Sequence, residues 1–257
     1  FDLGIIVRGF VSLWRATRER EFLQAAEAAA ASMTRDFSGA EGHHPVVTLP
    51  DKHPAPPDAR WSRNPGCYQL KSALGWYELY QETHREDYRV RYRQVLDYAL
   101  ATQAAFLSRE SQPERVMDRL HAYCYFLEGL LPCVGEPACA GVLAEGISRT
   151  ARLSVEIAPV FERSDVVAQS LRLRLLADGL GVLPLERARA AWEAERVRSY
   201  QMDDANPRVA GGFAFGRKGP QLLPFVNPVS TAFCLQALEM WRQHEAGRLD
   251  AAWQTLL

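Results

Sequence analysis

Residues 3–14 read Leu3-Gly4-Ile5-Ile6-Val7-Arg8-Gly9-Phe10-Val11-Ser12-Leu13-Trp14. Only Arg8 and Ser12 are polar, and they stand four apart, so a helix puts them on one face. A helix apolar almost all round has to be buried on most sides. The stretch from Val229 to Trp241 has the same character. The stretches 86–109 and 184–200 do not. Arg89, Arg91, Arg93 and Asp97 give the first one wet face, and Glu186, Arg187, Arg189, Glu193, Glu195 and Arg196 give the second another. This alternation predicts an all-α protein of inner and outer helices. Helical spacing places them at roughly 3–17, 19–34, 66–83, 86–109, 114–132, 138–158, 165–179, 184–200 and 228–244, with a short one after 247.

A shift of 66 residues lays the first hairpin on the second. Gly9 falls on Gly75, Phe10 on Trp76, Leu13 on Leu79, Trp14 on Tyr80, Thr17 on Thr83, Glu21 on Asp87 and Phe22 on Tyr88. The shared unit is a buried helix, a short turn containing Thr, and an outer helix that opens with an acid and an aromatic. An acid in the first turn suits the helix dipole, and repeated hairpins point to a helical repeat architecture. Turns within hairpins are short (15–21, 82–88, 132–138 and 179–185). The segments 34–66 and 200–227 are long, and long connections commonly carry function. Both lead into N-terminal ends of inner helices. In a ring of hairpins those ends share one face, which is where a site belongs.

Composition narrows the classes. Lys+Arg is 30 and Asp+Glu 31, a net charge of −1, so no basic excess points to nucleic acid. Apolar runs fall short of the roughly 18 residues of a membrane span. Cys67, Cys124, Cys133, Cys139 and Cys234 are an odd, irregularly spaced set that reads as buried thiols, favouring a reducing, cytoplasmic compartment. The chain starts with Phe1, which is compatible with processing or with a piece of a larger protein. His43, His44 and His53, with Asp51 and Asp58 nearby, fit no standard metal spacing, so neither a metal nor a cofactor is expected. No Gly-x-Ser-x-Gly elbow is present.

The segments Phe1-Asp2-Leu3-Gly4, Leu13 to Thr17, Tyr68 to Thr83, His121-Ala122-Tyr123, Glu128-Gly129-Leu130, Gly211-Gly212-Phe213 and Asn227 to Trp241 together resemble an α/α toroid, the six-hairpin barrel of carbohydrate-active enzymes. The likeness is to unsaturated glucuronyl hydrolases, N-acylglucosamine 2-epimerase relatives and toroid polysaccharide lyases. It covers most of the chain as one domain over 1–257, with about five hairpins in place of six. It is a likeness of architecture and includes no complete catalytic signature. It implies a carbohydrate substrate and acid/base residues at the N-terminal ends of inner helices.

The candidate catalytic residues are Asp2, Asp118, Asp165, His121 and Tyr123. Three aspartates near inner-helix starts suit glycoside hydrolysis, which needs two carboxyl groups across the bond. Each also reads as a cap or first-turn acid. His121 shares a helix face with Asp118 and can act as acid or base near neutral pH. With Tyr123 and arginines it suits a lyase or epimerase.

The candidate substrate contacts are Arg8, Arg60, Trp61, Arg63, Asn64, Tyr68, Arg119, Gln169, Arg172, Phe213, Phe215, Arg217 and Asn227. The arginines, with Lys71, Arg208 and Lys218, suggest an anionic sugar, since guanidinium matches carboxylate in bidentate pairs. Arg8, on a nearly all-apolar helix, needs a ligand or a buried acid such as Asp2. The glycines of residues 207–219 let backbone approach a ligand, and Phe213 and Phe215 either present flat faces to a sugar or close the base of the ring. Asn227 before Pro228 is a helix start.

The expected activity is that of a hydrolase or lyase on an acidic polysaccharide or oligosaccharide, ahead of a sugar epimerase, and two other readings compete with it. One is a non-catalytic glycan-binding or assembly domain of a polysaccharide synthesis or export system. The other is a terpenoid cyclase-like toroid, for which Asp203-Asp204 is the only Asp pair and lies outside any acid-rich motif.

Overall fold

The computed structural model describes residues 1–39, 42–108 and 110–257. The protein is all-α: helix accounts for 66% of residues and strand for 6%. Among the described residues no helix is long and apolar enough to cross a membrane. The chain forms two compact units, Phe1–Arg109 and Glu110–Leu257.

The first unit holds α1 (Asp2–Thr17), α2 (Arg20–Phe37), α3 (Leu70–Thr83) and α4 (Glu86–Ser108). Helix α1 packs on α2 and α3, and α3 packs on α4. A short antiparallel ribbon, β1 (Ser38–Gly39) with β2 (Gly42–His43), follows α2. The repeat is reproduced in the hydrogen bonds at the two hairpin turns. Thr17 Oγ1 donates to the Leu13 carbonyl at 2.9 Å, and Thr83 Oγ1 donates to the Leu79 carbonyl at 2.7 Å. The next residues, Arg18 and His84, are both left-handed, at φ 62 and 56. Their N–H groups donate to Trp14 and Tyr80 carbonyls, each at 2.8 Å. This left-handed cap closes a helix and satisfies a carbonyl that would otherwise lack a partner.

The glycine pair of the repeat is not equivalent in space. A methyl group on Gly75 would stand 3.0 Å from the Gly4 carbonyl oxygen, and one on Gly4 would overlap the Ser72 backbone. One on Gly9 would meet nothing within 4 Å. Gly4 and Gly75 therefore set how closely α1 approaches α3. Helix α1 is less covered than its composition predicts: Ile6 is 47% and Leu13 44% exposed.

The second unit holds α5 (Pro113–Leu130), α6 (Pro137–Ile157), α7 (Ser164–Gly179), α8 (Arg187–Arg198) and α9 (Pro228–Glu245). Helix α7 is its axis: every residue from Ser164 to Ala177 is buried, and it packs against α5, α6, α8 and α9. A three-stranded antiparallel ribbon, which period reading did not reveal, runs β3 (Glu162–Arg163), β4 (Gly216–Lys218) and β5 (Gln221–Leu222). Two-residue strands are too short to show alternation. The segment after 247 is a single 3₁₀ turn, Trp253–Thr255, where a helix was expected. Helix α9 starts as read: Asn227 accepts from the N–H groups of Val229 and Ser230. Val229 and Leu235 on it stay exposed. All five cysteines are buried.

The glycines of α1 predict opposite mutational signs. Gly9→Ala should raise stability by up to about 1 kcal/mol, the helix propensity difference. Gly4→Ala should lower it by about 2 kcal/mol or more, because the helices must separate. Urea denaturation checks both, and equal effects would refute the close-approach role of Gly4.

Candidate functional site

In the second unit, the candidate residues converge where α5 faces the start of α7. Asp118 and His121 lie on α5, one turn apart, and both point to the β3–α7 junction. Arg163, the last residue of β3, forms the centre. Its Nε and one terminal nitrogen donate to the two carboxylate oxygens of Asp165 at 2.9 and 2.7 Å. Its other terminal nitrogen donates to Asp118 at 2.8 Å. Its guanidinium lies over the Phe215 ring, 4.6 Å from the centroid. Ser230 Oγ of α9 donates to Asp165 at 3.1 Å. Burial alone would raise the Asp165 carboxyl, but His121, Arg163 and Ser230 together hold it below the usual carboxylate range.

His121 Nδ1 lies 2.8 Å from Gln169 Oε1 and 3.6 Å from Asp165. The Gln169 amide nitrogen donates to the His121 carbonyl at 3.4 Å, which orients the amide. Because Oε1 only accepts, Nδ1 carries the proton and Nε2 the lone pair. Burial depresses the imidazole below its ordinary value, with the nearby Arg163 adding to this and Asp165 opposing it. Tyr125 meets the ring edge-on at 4.6 Å, and Phe233 lies 6.2 Å away. The result is a neutral imidazole in an aromatic setting, fixed by an amide and beside an ionised carboxylate.

Several expected members go elsewhere. Tyr123 is two residues from His121 and cannot share its helix face. It is buried against Phe126, and its hydroxyl lies by Gly146 of α6. Tyr125, four residues on, takes the place expected for it. Gln169 and Arg172 are 0% exposed and serve inside the fold. Gln169 orients His121, while Arg172 pairs with Glu128 at 2.5 Å, donates to Gln236 at 2.6 Å and covers Phe233. Phe213 is also fully buried, so it shows no face to a sugar. Phe215 stacks on Phe225. A side chain on Gly216 would overlap the Glu162 carbonyl, so that glycine serves strand pairing. Asn227 is a cap.

The arginines do not form an anion site together. Arg8 pairs with Glu78 at 2.6 Å, not with Asp2, and Arg60 pairs with Asp58. Arg217 opposes Glu162 in the β3–β4 ribbon and lies over Tyr200. Neighbours along a strand alternate, so Arg217 is on the face opposite Arg163. Arg119 and Arg63 are half-buried.

In the first unit, Asn64 donates to the carbonyls of Asp58 and Arg60, and Trp61 meets the buried Tyr68 edge-on. Asp2 is in this unit too, at the exposed start of α1. Arg163 and Tyr125 were not legible as site members, whereas Ser230, opening the helix after Asn227-Pro228, was readable as facing the mouth of a ring. Only the fold puts β3, α5 and α9 together, although the i, i+4 spacing of His121 and Tyr125 was a usable signal. Among the described residues, no group of three or more His, Cys, Asp or Glu could hold a metal. Compared with known protein families and with curated proteins, the chain matches none.

Two buried imidazoles predict the pH dependence. His121 is depressed, and His43 in the first unit is brought from 6.5 to about 4, mainly by burial and further by Arg91. The unfolded chain binds these protons near 6.5, while the native one does not. The unfolded state therefore holds more protons below that pH, and stability falls as pH drops. For His43 the loss levels off below about 4. Urea midpoints measured from pH 7.5 to about 4 should fall less steeply in His43→Phe than in wild type.

Proposed function

We propose that the chain is a carbohydrate-active α/α toroid domain whose chemistry is proton transfer by His121, assisted by Asp118. The observation that carries this is the neutral His121 imidazole, its Nδ1–H held by Gln169 beside the ionised Asp165. A neutral imidazole with one nitrogen hydrogen-bonded presents the other as a base. The repeated hairpins support the toroid, and the position of His121 midway along α5, facing the start of α7, supports the site. Asp118, with a side chain 46% exposed, is the carboxylate open to a substrate.

The geometry favours lyase or epimerase action over hydrolysis. Hydrolysis needs two carboxyl groups reaching the glycosidic bond. Asp165 is 2% exposed and is held by Arg163 and Ser230, so it acts as a positioning residue for the imidazole. Acidic oligosaccharides are the first substrate class to test, because the proton next to a uronate carboxyl group is the one an imidazole base can remove once the carboxylate charge is neutralised. Glycan binding without turnover is the second reading. One observation favours it: Asp118, Arg163 and Asp165 already satisfy one another.

Mass spectrometry of acidic and neutral oligosaccharides incubated with wild type and His121→Gln tests the reading. The expected product is an unsaturated sugar (lyase) or an isomer of unchanged mass (epimerase). Loss of general-base catalysis should slow His121→Gln by about 100-fold or more with an unchanged urea midpoint. A product that gains water, or unaltered turnover by a folded His121→Gln, would overturn it. Binding without turnover would establish the second reading.

A further inference from the structure

The first unit contains a cavity of about 290 Å³, away from the His121 cluster. Met33 and Phe37 of α2, His43 of β2, Val46, Trp76 of α3 and Val95 of α4 are in its wall. The wall is aromatic and aliphatic, as small-molecule sites commonly are, and its volume is at the lower end of their range.

Two polar atoms in this wall are buried and lack a hydrogen-bond partner in the protein: Trp76 Nε1 and His43 Nε2. Trp76 is 1% exposed, and its ring lies 5.2 Å from that of His43. A buried polar group left unpaired has lost its hydration without compensation, so a pair of them in one cavity wall calls for an occupant. Two other polar side chains of the wall, Gln69 and Ser72, are engaged. Gln69 Nε2 donates to the His43 carbonyl at 2.8 Å, and its Oε1 accepts from the Gly66 N–H at 3.2 Å. Ser72 Oγ donates to the Gln69 carbonyl at 2.7 Å.

We propose that this cavity is a binding site for a small, neutral, single-ring compound carrying one hydroxyl, such as a phenol or an alicyclic alcohol. An indole N–H can only donate. The hydroxyl oxygen accepts from Trp76 Nε1, and its proton goes to His43 Nε2. A hydroxyl is the smallest group that serves both. The depressed imidazole is neutral at neutral pH, so it has a lone pair to offer. The ring packs on Phe37, Met33 and Val95. No Lys or Arg side chain lines the cavity. The site is in a different unit from the His121 cluster and does not depend on the function proposed there.

The test is titration of the full chain with p-cresol, followed by the ¹⁵N–¹H signal of the Trp76 indole, which its loss in Trp76→Phe assigns. Toluene and D-glucose are titrated in parallel. The expected result is a saturable shift with p-cresol, with a dissociation constant of about 1 mM or tighter. Toluene should bind about tenfold more weakly, the worth of the hydrogen bonds, and glucose should give no shift. His43→Phe should weaken p-cresol about tenfold while the chain stays folded. Should that variant unfold, Trp76→Phe read by calorimetry carries the same expectation. The proposal is overturned if p-cresol gives no saturable shift, which would make this a water site. It is also overturned if toluene or glucose binds as well as p-cresol, or if a folded variant binds p-cresol as wild type does.

Discussion

Arg172 and Glu128 meet 2.5 Å apart with neither side chain exposed, and this kind of pairing organises the interior of both units. A charge carried on a buried helix has to be matched by an opposite one from a helix it touches. Removing one member leaves the other stranded, at about 3–5 kcal/mol. Helix α7 takes Arg172 to Glu128 of α5 and Arg174 to Glu193 of α8. Helix α1 takes Arg8 and Arg15 to Glu78 of α3, and Arg15 also to Glu82. Each pair sets the register of two helices that apolar packing alone would allow to slide.

The same constraint shapes the candidate site. Arg163 cannot rest buried without acids, and it takes two, from different helices. In doing so it fixes the entry of α7, the position of Asp118 and the ionised state of Asp165. The carboxylate and Gln169 in turn hold the His121 ring. The apolar surroundings that keep this imidazole neutral are the aromatic residues Tyr125 and Phe233, which α5 and α9 contribute. A fixed imidazole is thus a by-product of satisfying a buried charge. The residues around it that looked like substrate contacts, Gln169 and Arg172, are its supports.

The cavity of the first unit follows the opposite rule. There two polar atoms, of Trp76 and His43, are buried and unmatched within the protein. They lie together in the wall of one cavity, and in the proposed site they are what sets a hydroxylated ligand apart from a purely apolar one.

The helices and the hairpin repeat could be read along the chain. These rest on periodicity and on local caps, and a local signal needs no knowledge of distant residues. Thr17 and Thr83 bond within their own turns, and Asn227 caps its own helix, so they were legible. The shared face of Asp118 and His121 was legible for the same reason. Only the tertiary structure decided which acid meets which arginine. Glu78 lies 70 residues from Arg8, and Glu128 lies 44 from Arg172. It also decided that Gly75 is constrained and Gly9 is not, that Phe213 is buried, and that the two-residue strand β3 delivers Arg163 between two aspartates. The physical reason is that a charge or an aromatic ring is compatible with many neighbours. Which one it finds is set by the helices that packing brings within a few ångströms.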